Sequence, residues 1–318
     1  MRTRVGVAVV AVLAAIGAGV PAAPAGAADS RRLATEGSYA VGVRTETFVD
    51  RSRPTSANGT YPGAPTRTLV TTIWYPAEGS PRPDEQPNAP AYDDRRFPLL
   101  VFSHGFTASG PAYGLLLRRI ASAGFVVAAP TFPLSNGQAP GGPFLRDYVN
   151  QPADVSFVID QLLRLDDDDD SPYADLLRRH RIATAGHSLG GITTLGLLND
   201  CCIDRRIDAF IPMSGIELPF PGGDFTYERK APLLLVHGDQ DGTVPFAGSL
   251  LAFADARRPK YLLQLINGSH VPFGPAQGEI IVTSVVHFLD RYLNHRRSLH
   301  ALLEDGNVPG VAALFQDR

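Results

Sequence analysis

The chain has 318 residues, 44% of them hydrophobic and 19% charged, with a formal net charge of −3. No basic excess exists to neutralise phosphates, which excludes a nucleic-acid binder driven by bulk electrostatics. Ordinary apolar content and low net charge exclude a disordered chain. Two cysteines, adjacent at Cys201 and Cys202, are too few for a Cys-based metal centre or a multi-disulfide scaffold.

The first residues read as a targeting segment. Arg2 and Arg4 precede an uncharged stretch from Val5 to Val20, followed by Pro21, Pro24 and Ala25-Gly-Ala-Ala28. A basic start, an apolar run shorter than the ~20 residues of a membrane span and a small-residue site predict a secretory signal over 1–27. Residues 28–318 then form a single exported domain.

In the exported part, Tyr39–Phe48 and Arg67–Tyr75 carry the Val, Thr and aromatic bias of strands. The stretch between them, with Pro54, Asn58-Gly59, Pro62 and Pro65, is a loop, as is 77–90. A regular alternation follows. Strands are expected at Pro98–Ser103, Phe125–Ala129, Arg181–Gly186, Ile207–Met213, Pro232–His237 and Tyr261–Ile266, mostly as continuous apolar runs buried on both faces. Helices are expected at Tyr113–Ala123, Pro152–Leu165, Ser188–Asn199, Phe246–Ala256 and Glu279–Asn294, the last closing the fold. This order predicts an α/β chain with a mostly parallel sheet flanked by helices on both faces, entered by an antiparallel pair. The acidic run Asp166–Asp170 reads as a solvated turn, with a weak calcium site as the minority reading. Ser171-Pro172 after it is a candidate cap and first turn of a further helix.

The chemistry concentrates at Gly186-His-Ser188-Leu-Gly190, a G-x-S-x-G pattern between an apolar strand and a helix. A tight turn flanked by glycines leaves the serine hydroxyl exposed above the sheet, which makes Ser188 the candidate nucleophile. A serine hydroxyl needs a base, and the base an orienting acid. At such turns the chain order is Ser, acid, His. Among the later histidines, His270 sits in a loop directly after an apolar strand and is the candidate base. His237 reads as a packed turn residue, and His287, His295 and His300 as structural or solvated. For the acid, Asp241 is preferred in Asp239-Gln-Asp241, at the end of a parallel strand where open α/β sites gather; Asp239 and Glu217 remain alternatives. The oxyanion donors would be the backbone N–H groups of Leu189, after the nucleophile, and Phe106, in the loop after an early strand. His104 beside it reads as structural.

Ser103-His-Gly-Phe-Thr-Ala-Ser109, Arg119-Ile-Ala-Ser-Ala-Gly-Phe-Val-Val127, Gly186-His-Ser-Leu-Gly-Gly191, Asp239-Gln-Asp241 and Asn267-Gly-Ser-His270 resemble the α/β-hydrolase superfamily over nearly all the exported chain. Within it they resemble secreted bacterial cutinases and polyester hydrolases, and the platelet-activating-factor-acetylhydrolase-like and dienelactone-hydrolase-like proteins. The resemblance implies a Ser188, His270, Asp241 triad with Phe106 and Leu189 as oxyanion hole. Two departures stand out. The polyester hydrolases carry a substrate-clamping tryptophan where this chain reads Ile211-Pro-Met213-Ser-Gly215, and the dienelactone hydrolases use a cysteine nucleophile that is absent here.

The loops 131–151 and 214–231 carry Phe132, Phe144, Phe220 and Phe225, which either line an apolar pocket or pin the loops to the body. Neither is long enough for a separate lid domain. Export favours oxidation of Cys201-Cys202, whereas a separation of ~3.8 Å across one peptide is below the usual disulfide span, so both states stay open. Asn58-Gly-Thr60 and Asn267-Gly-Ser269 match the glycosylation pattern. The expectation is a secreted serine carboxylic-ester hydrolase with no metal or organic cofactor and no integral membrane span, a monomer acting on an acyl ester, lipid or polyester. An acyltransferase using the same triad is the alternative, and a non-catalytic binding protein the more distant one.

Overall fold

The computed structural model describes residues 37–221, 225–227, 229–295 and 299–318. The expected signal over 1–27 lies outside them. Among the described residues, ten strands form one sheet in the order β10-β9-β8-β7-β6-β4-β5-β2-β1-β3. The strands are β1 (Ala40–Asp50), β2 (Arg67–Ala77), β3 (Gln86–Pro87), β4 (Phe97–Ser103), β5 (Val126–Thr131), β6 (Leu177–His187), β7 (Ile207–Met213), β8 (Leu233–Gly238), β9 (Lys260–Leu265) and β10 (Ala312–Asp317). The α-helices among the described residues are α1 (Gly114–Ser122), α2 (Gln151–Asp166), α3 (Leu189–Gly196), α4 (Ala247–Asp255), α5 (Pro275–Tyr292) and α6 (Leu299–Asp305). The run from β5 through β4 and β6 to β9 is parallel, while β1 and β2 pair antiparallel and β2 joins β5 antiparallel, as the sequence pattern predicts.

Side chains alternate across the sheet with the period of two that a strand imposes. Leu99 and Val101 of β4, Leu233 and Leu235 of β8 and Phe210 of β7 face a core covered by Val155, Val158, Ile159 and Leu162 of α2 and Ala252 of α4. Leu100, Phe102, Leu234, Val236 and Ile211 face the opposite core, covered by Leu117 and Ile120 of α1 and Ile281, Val285 and Phe288 of α5. Because both faces are covered, the central strands read as unbroken apolar runs, and each fully buried Leu or Phe contributes about 1.5–3 kcal/mol.

The chain leaves β4 through α1 on one face and leaves β5 through α2 on the other, and β6 then pairs with the free side of β4. That reversal opens a crevice above the carboxyl ends of β4 and β6, where ligands of open α/β sheets bind. The loops after β4, β6, β8 and β9 all emerge at this end.

Three expectations need correction. Ser171-Pro172 opens no helix. The segment turns and enters β6 at Leu177, because the buried Asp166 carboxylate ends α2 by accepting the Leu177 N–H at 2.6 Å and pairs with Arg179. The helix expected at 279–294 starts at Pro275, whose missing N–H is tolerated at the first helical position. It does not close the fold: α6 follows, and β10 adds an antiparallel edge to β9. Cys201 and Cys202 are joined in a disulfide just after α3. Among the described residues no helix is long and apolar enough to cross a membrane.

Candidate active site

Ser188 sits between β6 and α3 with φ 56°, a left-handed conformation that costs free energy for any non-glycine residue and recurs at functional turns. The turn is held by the Ser188 N–H donating to the Met213 carbonyl at 2.9 Å. It closes only over glycine: a Cβ at Gly190 would lie 1.9 Å from the Ser103 carbonyl oxygen. Ser188 is 5% exposed, so its hydroxyl lies in a largely desolvated site.

His270, in the loop after β9, places Nε2 2.9 Å from Ser188 Oγ. Its Nδ1 lies 2.7 Å from Oδ2 of Asp241, in the loop after β8. The other carboxylate oxygen, Oδ1, accepts the N–H groups of Thr243 and Val244, each at 2.8 Å. Burial alone pushes the Asp241 carboxyl up, but hydrogen bonds from His237, His270 and the Val244 N–H outweigh it and hold the group well below the usual carboxylate range. The structure therefore brings the three expected side chains into one hydrogen-bonded chain.

The two alternative acids lie elsewhere. Asp239 accepts from Gln264 at 2.8 Å and from the Asn267 N–H at 2.7 Å, which fastens the acid loop to the base loop. Glu217 accepts from the Tyr227 hydroxyl at 2.7 Å, and burial raises its pKa. The residues expected to supply the oxyanion donors lie beside Ser188. Leu189 opens α3, so its N–H lacks an intrahelical acceptor, and it shares an apolar cluster with Phe106. Gly105, just before Phe106, approaches the nucleophile so closely that an added Cβ would stand 3.3 Å from Ser188 Cβ.

His104 is fully buried, with Nδ1 donating to the Gly105 carbonyl at 2.7 Å and Nε2 accepting the Phe132 N–H at 2.9 Å. Burial lowers its pKa to about 4, so it is a neutral brace. His287 and His300 pair with Asp305 and Glu304, on α5 and α6.

Two further histidines join the site, of which His237 reads from sequence as a packed turn residue and His187 only as part of the G-x-S-x-G pattern. His237 directs Nε2 at Asp241 Oδ2 and at the Val244 carbonyl, both at 3.0 Å, while Nδ1 meets the Ser249 hydroxyl at 2.7 Å. His187, inside the G-x-S-x-G turn, meets the His270 carbonyl and the Tyr113 hydroxyl at 2.7 and 2.8 Å. Both had a sequence signal: one stands four residues before the acid, the other next to the nucleophile.

The aromatic residues of the two loops divide. Phe132 is buried against His104 and pins its loop to the body. Phe220 packs edge-on to Tyr148 at 5.2 Å and joins the cluster of Phe106, Leu189, Ile216 and Val244 beside the nucleophile. Trp74, the one tryptophan, is buried between β2 and α1 and takes no part in the site. Asn58 is a cross-brace, its amide donating to the Pro140 and Gly142 carbonyls.

Residues 88–219 match the model of the chlorophyllase family, and residues 35–133 that of platelet-activating factor acetylhydrolase, isoform II. Both matches include Gly105 and Phe106, and the first includes Ser188, whereas Asp241 and His270 lie beyond both. No curated protein matches the chain. Parallel sheet, strand–turn–helix placement of Ser188 and the two partial matches agree on the α/β-hydrolase fold.

Proposed function

We propose that the chain is a secreted serine carboxylic-ester hydrolase working through an acyl-enzyme. The observation that carries this is the continuous chain from Ser188 Oγ to His270 Nε2 at 2.9 Å and from His270 Nδ1 to Asp241 Oδ2 at 2.7 Å. Both matching families are named for enzymes that cleave esters.

In this reading His270 Nε2 takes the Ser188 proton as Oγ attacks the ester carbonyl. The carbonyl oxygen gains negative charge and is met by the N–H groups of Phe106 and Leu189; a single such donor is worth about 3 kcal/mol in comparable enzymes. His270 then returns the proton to the departing alcohol, leaving Ser188 acylated, and activates water to release the acid. Asp241 keeps Nδ1 protonated and stabilises the imidazolium. Export is supported by the pattern over 1–28 and by the Cys201–Cys202 disulfide, which suits an oxidising compartment. The site residues call for no metal or organic cofactor.

The test is hydrolysis of p-nitrophenyl esters of graded chain length by wild type and Ser188→Ala. Loss of Ser188 is expected to lower kcat by ~10⁶. A serine-directed phosphonate should label wild type at Ser188. Retained activity in the variant or absent labelling of wild type overturns the reading, and product analysis with an added alcohol separates hydrolysis from acyl transfer.

A further inference from the structure

We propose that Tyr113 and His187 form a strut that holds the base loop and the oxyanion loop in register, which makes both of them positioning residues for the hydrolysis above; the inference rests on that reading of the site. The Gly105 N–H donates to the Tyr113 hydroxyl at 3.2 Å, that hydroxyl meets His187 Nδ1 at 2.8 Å, and His187 Nε2 meets the His270 carbonyl at 2.7 Å. One line of hydrogen bonds thus runs from the backbone of the base to the residue before Phe106.

The protons can be assigned. The His270 carbonyl only accepts, so His187 Nε2 carries a hydrogen. The Tyr113 oxygen is already an acceptor for Gly105 and has one proton to give, which goes to an unprotonated Nδ1. Burial first, and then the neighbouring His270, push the His187 pKa down to about 3, so the ring stays neutral as this pattern requires. Burial pushes the Tyr113 hydroxyl up to about 12, which keeps its proton in place. An aromatic ring flanks the strut: Phe273 packs edge-on against His187 at 5.1 Å and Tyr113 at 5.9 Å.

The consequence for the oxyanion loop follows from peptide planarity. The Gly105 carbonyl is held by His104 Nδ1 at 2.7 Å, and the Phe106 N–H belongs to the same planar unit, pointing the opposite way. With the Gly105 N–H held by Tyr113, the peptides on both sides of Gly105 are fixed. The strut passes close to Gly105: an added Cβ would crowd it, standing 3.0 Å from the Tyr113 hydroxyl and 3.4 Å from His187 Nδ1. Neither strut residue forms part of the triad. They act by keeping the Phe106 N–H and the His270 ring at a constant separation about Ser188.

The experiment compares wild type, Tyr113→Phe, His187→Leu and the double variant by steady-state kinetics on a p-nitrophenyl ester and by NMR exchange of the Gly105 amide. Tyr113→Phe keeps the ring contacts and removes only the hydroxyl. Each single variant is expected to lower kcat by about 10- to 100-fold, with KM changed by less than about three-fold. The double variant should be no worse than the poorer single one, because either change breaks the same strut. Gly105 exchange should accelerate in Tyr113→Phe, and His187→Gln, which retains an N–H for the His270 carbonyl, should recover part of the lost rate. Unchanged kcat, unchanged Gly105 exchange or losses that multiply in the double variant each overturn the strut. Failure of phosphonate to label wild-type Ser188 instead overturns the hydrolase reading, and with it the positioning role.

Discussion

His237 and His270 donate to the same oxygen: Nε2 of the first lies 3.0 Å and Nδ1 of the second 2.7 Å from Oδ2 of Asp241. The carboxylate is therefore held from the strand behind it as well as by the backbone of its own loop. His237→Phe fills the ring volume but leaves the buried Val244 carbonyl and Ser249 hydroxyl without their partner. Such a loss costs about 1–3 kcal/mol. Looser anchoring of the acid should lower kcat by about 10-fold with little change in KM. Urea unfolding and steady-state kinetics check both. Wild-type values for stability and rate would mean that the Thr243 and Val244 N–H groups hold Asp241 unaided.

The same carboxylate gives a pH signature. Its folded pKa lies below the unfolded value of ~3.9, so the unfolded chain takes up the proton first as pH falls. The stability that ionised Asp241 contributes is complete above that unfolded value and declines as pH drops from it toward the lower folded one. Asp241→Asn removes this titration. The variant should be less stable than wild type at pH 7, with the deficit shrinking below about pH 4. Denaturant titrations at pH 7, 5 and 3 measure it, and a deficit that grows on acidification contradicts the assignment.

Arg67 on β2 is buried with two carboxylates, Asp147 at 2.9 Å and Asp154 at 2.6 Å. Asp147 belongs to the short 3-10 turn Leu145–Asn150, which also carries Tyr148 to the cluster beside the nucleophile. Asp154→Ala leaves the guanidinium partly unpaired in a desolvated site, and Arg67→Met leaves Asp154 to Arg53 at 2.8 Å and Asp147 to the Asn150 amide at 2.7 Å. Each should lose about 3–5 kcal/mol, because removing one partner exposes the desolvation cost of the other. Thermal unfolding tests this, and a loss below about 1 kcal/mol would show that the cluster is hydrated.

The sheet and the hydrogen-bonded set of Ser188, His270 and Asp241 were legible because each leaves a local trace. The apolar runs at 98–103 and 232–237 are buried on both faces, and the G-x-S-x-G pattern marks the strand–turn–helix site of Ser188 whatever the rest of the chain does. The missing elements had weaker traces. β10 is a six-residue edge strand whose pairing with β9 follows from contacts distant in sequence. Ser171-Pro172 had the composition of a helix start, yet tertiary contacts of Asp166 redirected the chain into β6. The supporting histidines left only their places in the sequence, four residues before Asp241 and next to Ser188. Nothing near His187 or His237 in sequence reveals that a second loop supplies a carbonyl to one and a hydroxyl from α4 meets the other.

Phe220 packs in the apolar cluster beside Ser188, the proposed nucleophile. Its ring is 3% exposed and lies so close to α3 that a Cβ at Gly196 would fall 2.3 Å from it. Its cluster includes Phe106 and Leu189, whose N–H groups are the proposed oxyanion donors, so space opened here adjoins the acyl carbon. Phe220→Ala should cost about 3–5 kcal/mol of stability. In return it should favour longer acyl chains, since each extra buried methylene is worth about 0.8 kcal/mol. Two additional methylenes then correspond to roughly 10-fold in relative kcat/KM between octanoyl and hexanoyl p-nitrophenyl esters. Phe220→Leu, with a smaller cavity, should shift the same ratio less and keep more stability. If neither variant moves the ratio while both lose stability, Phe220 only pins its loop, as Phe132 does on the other side of the site.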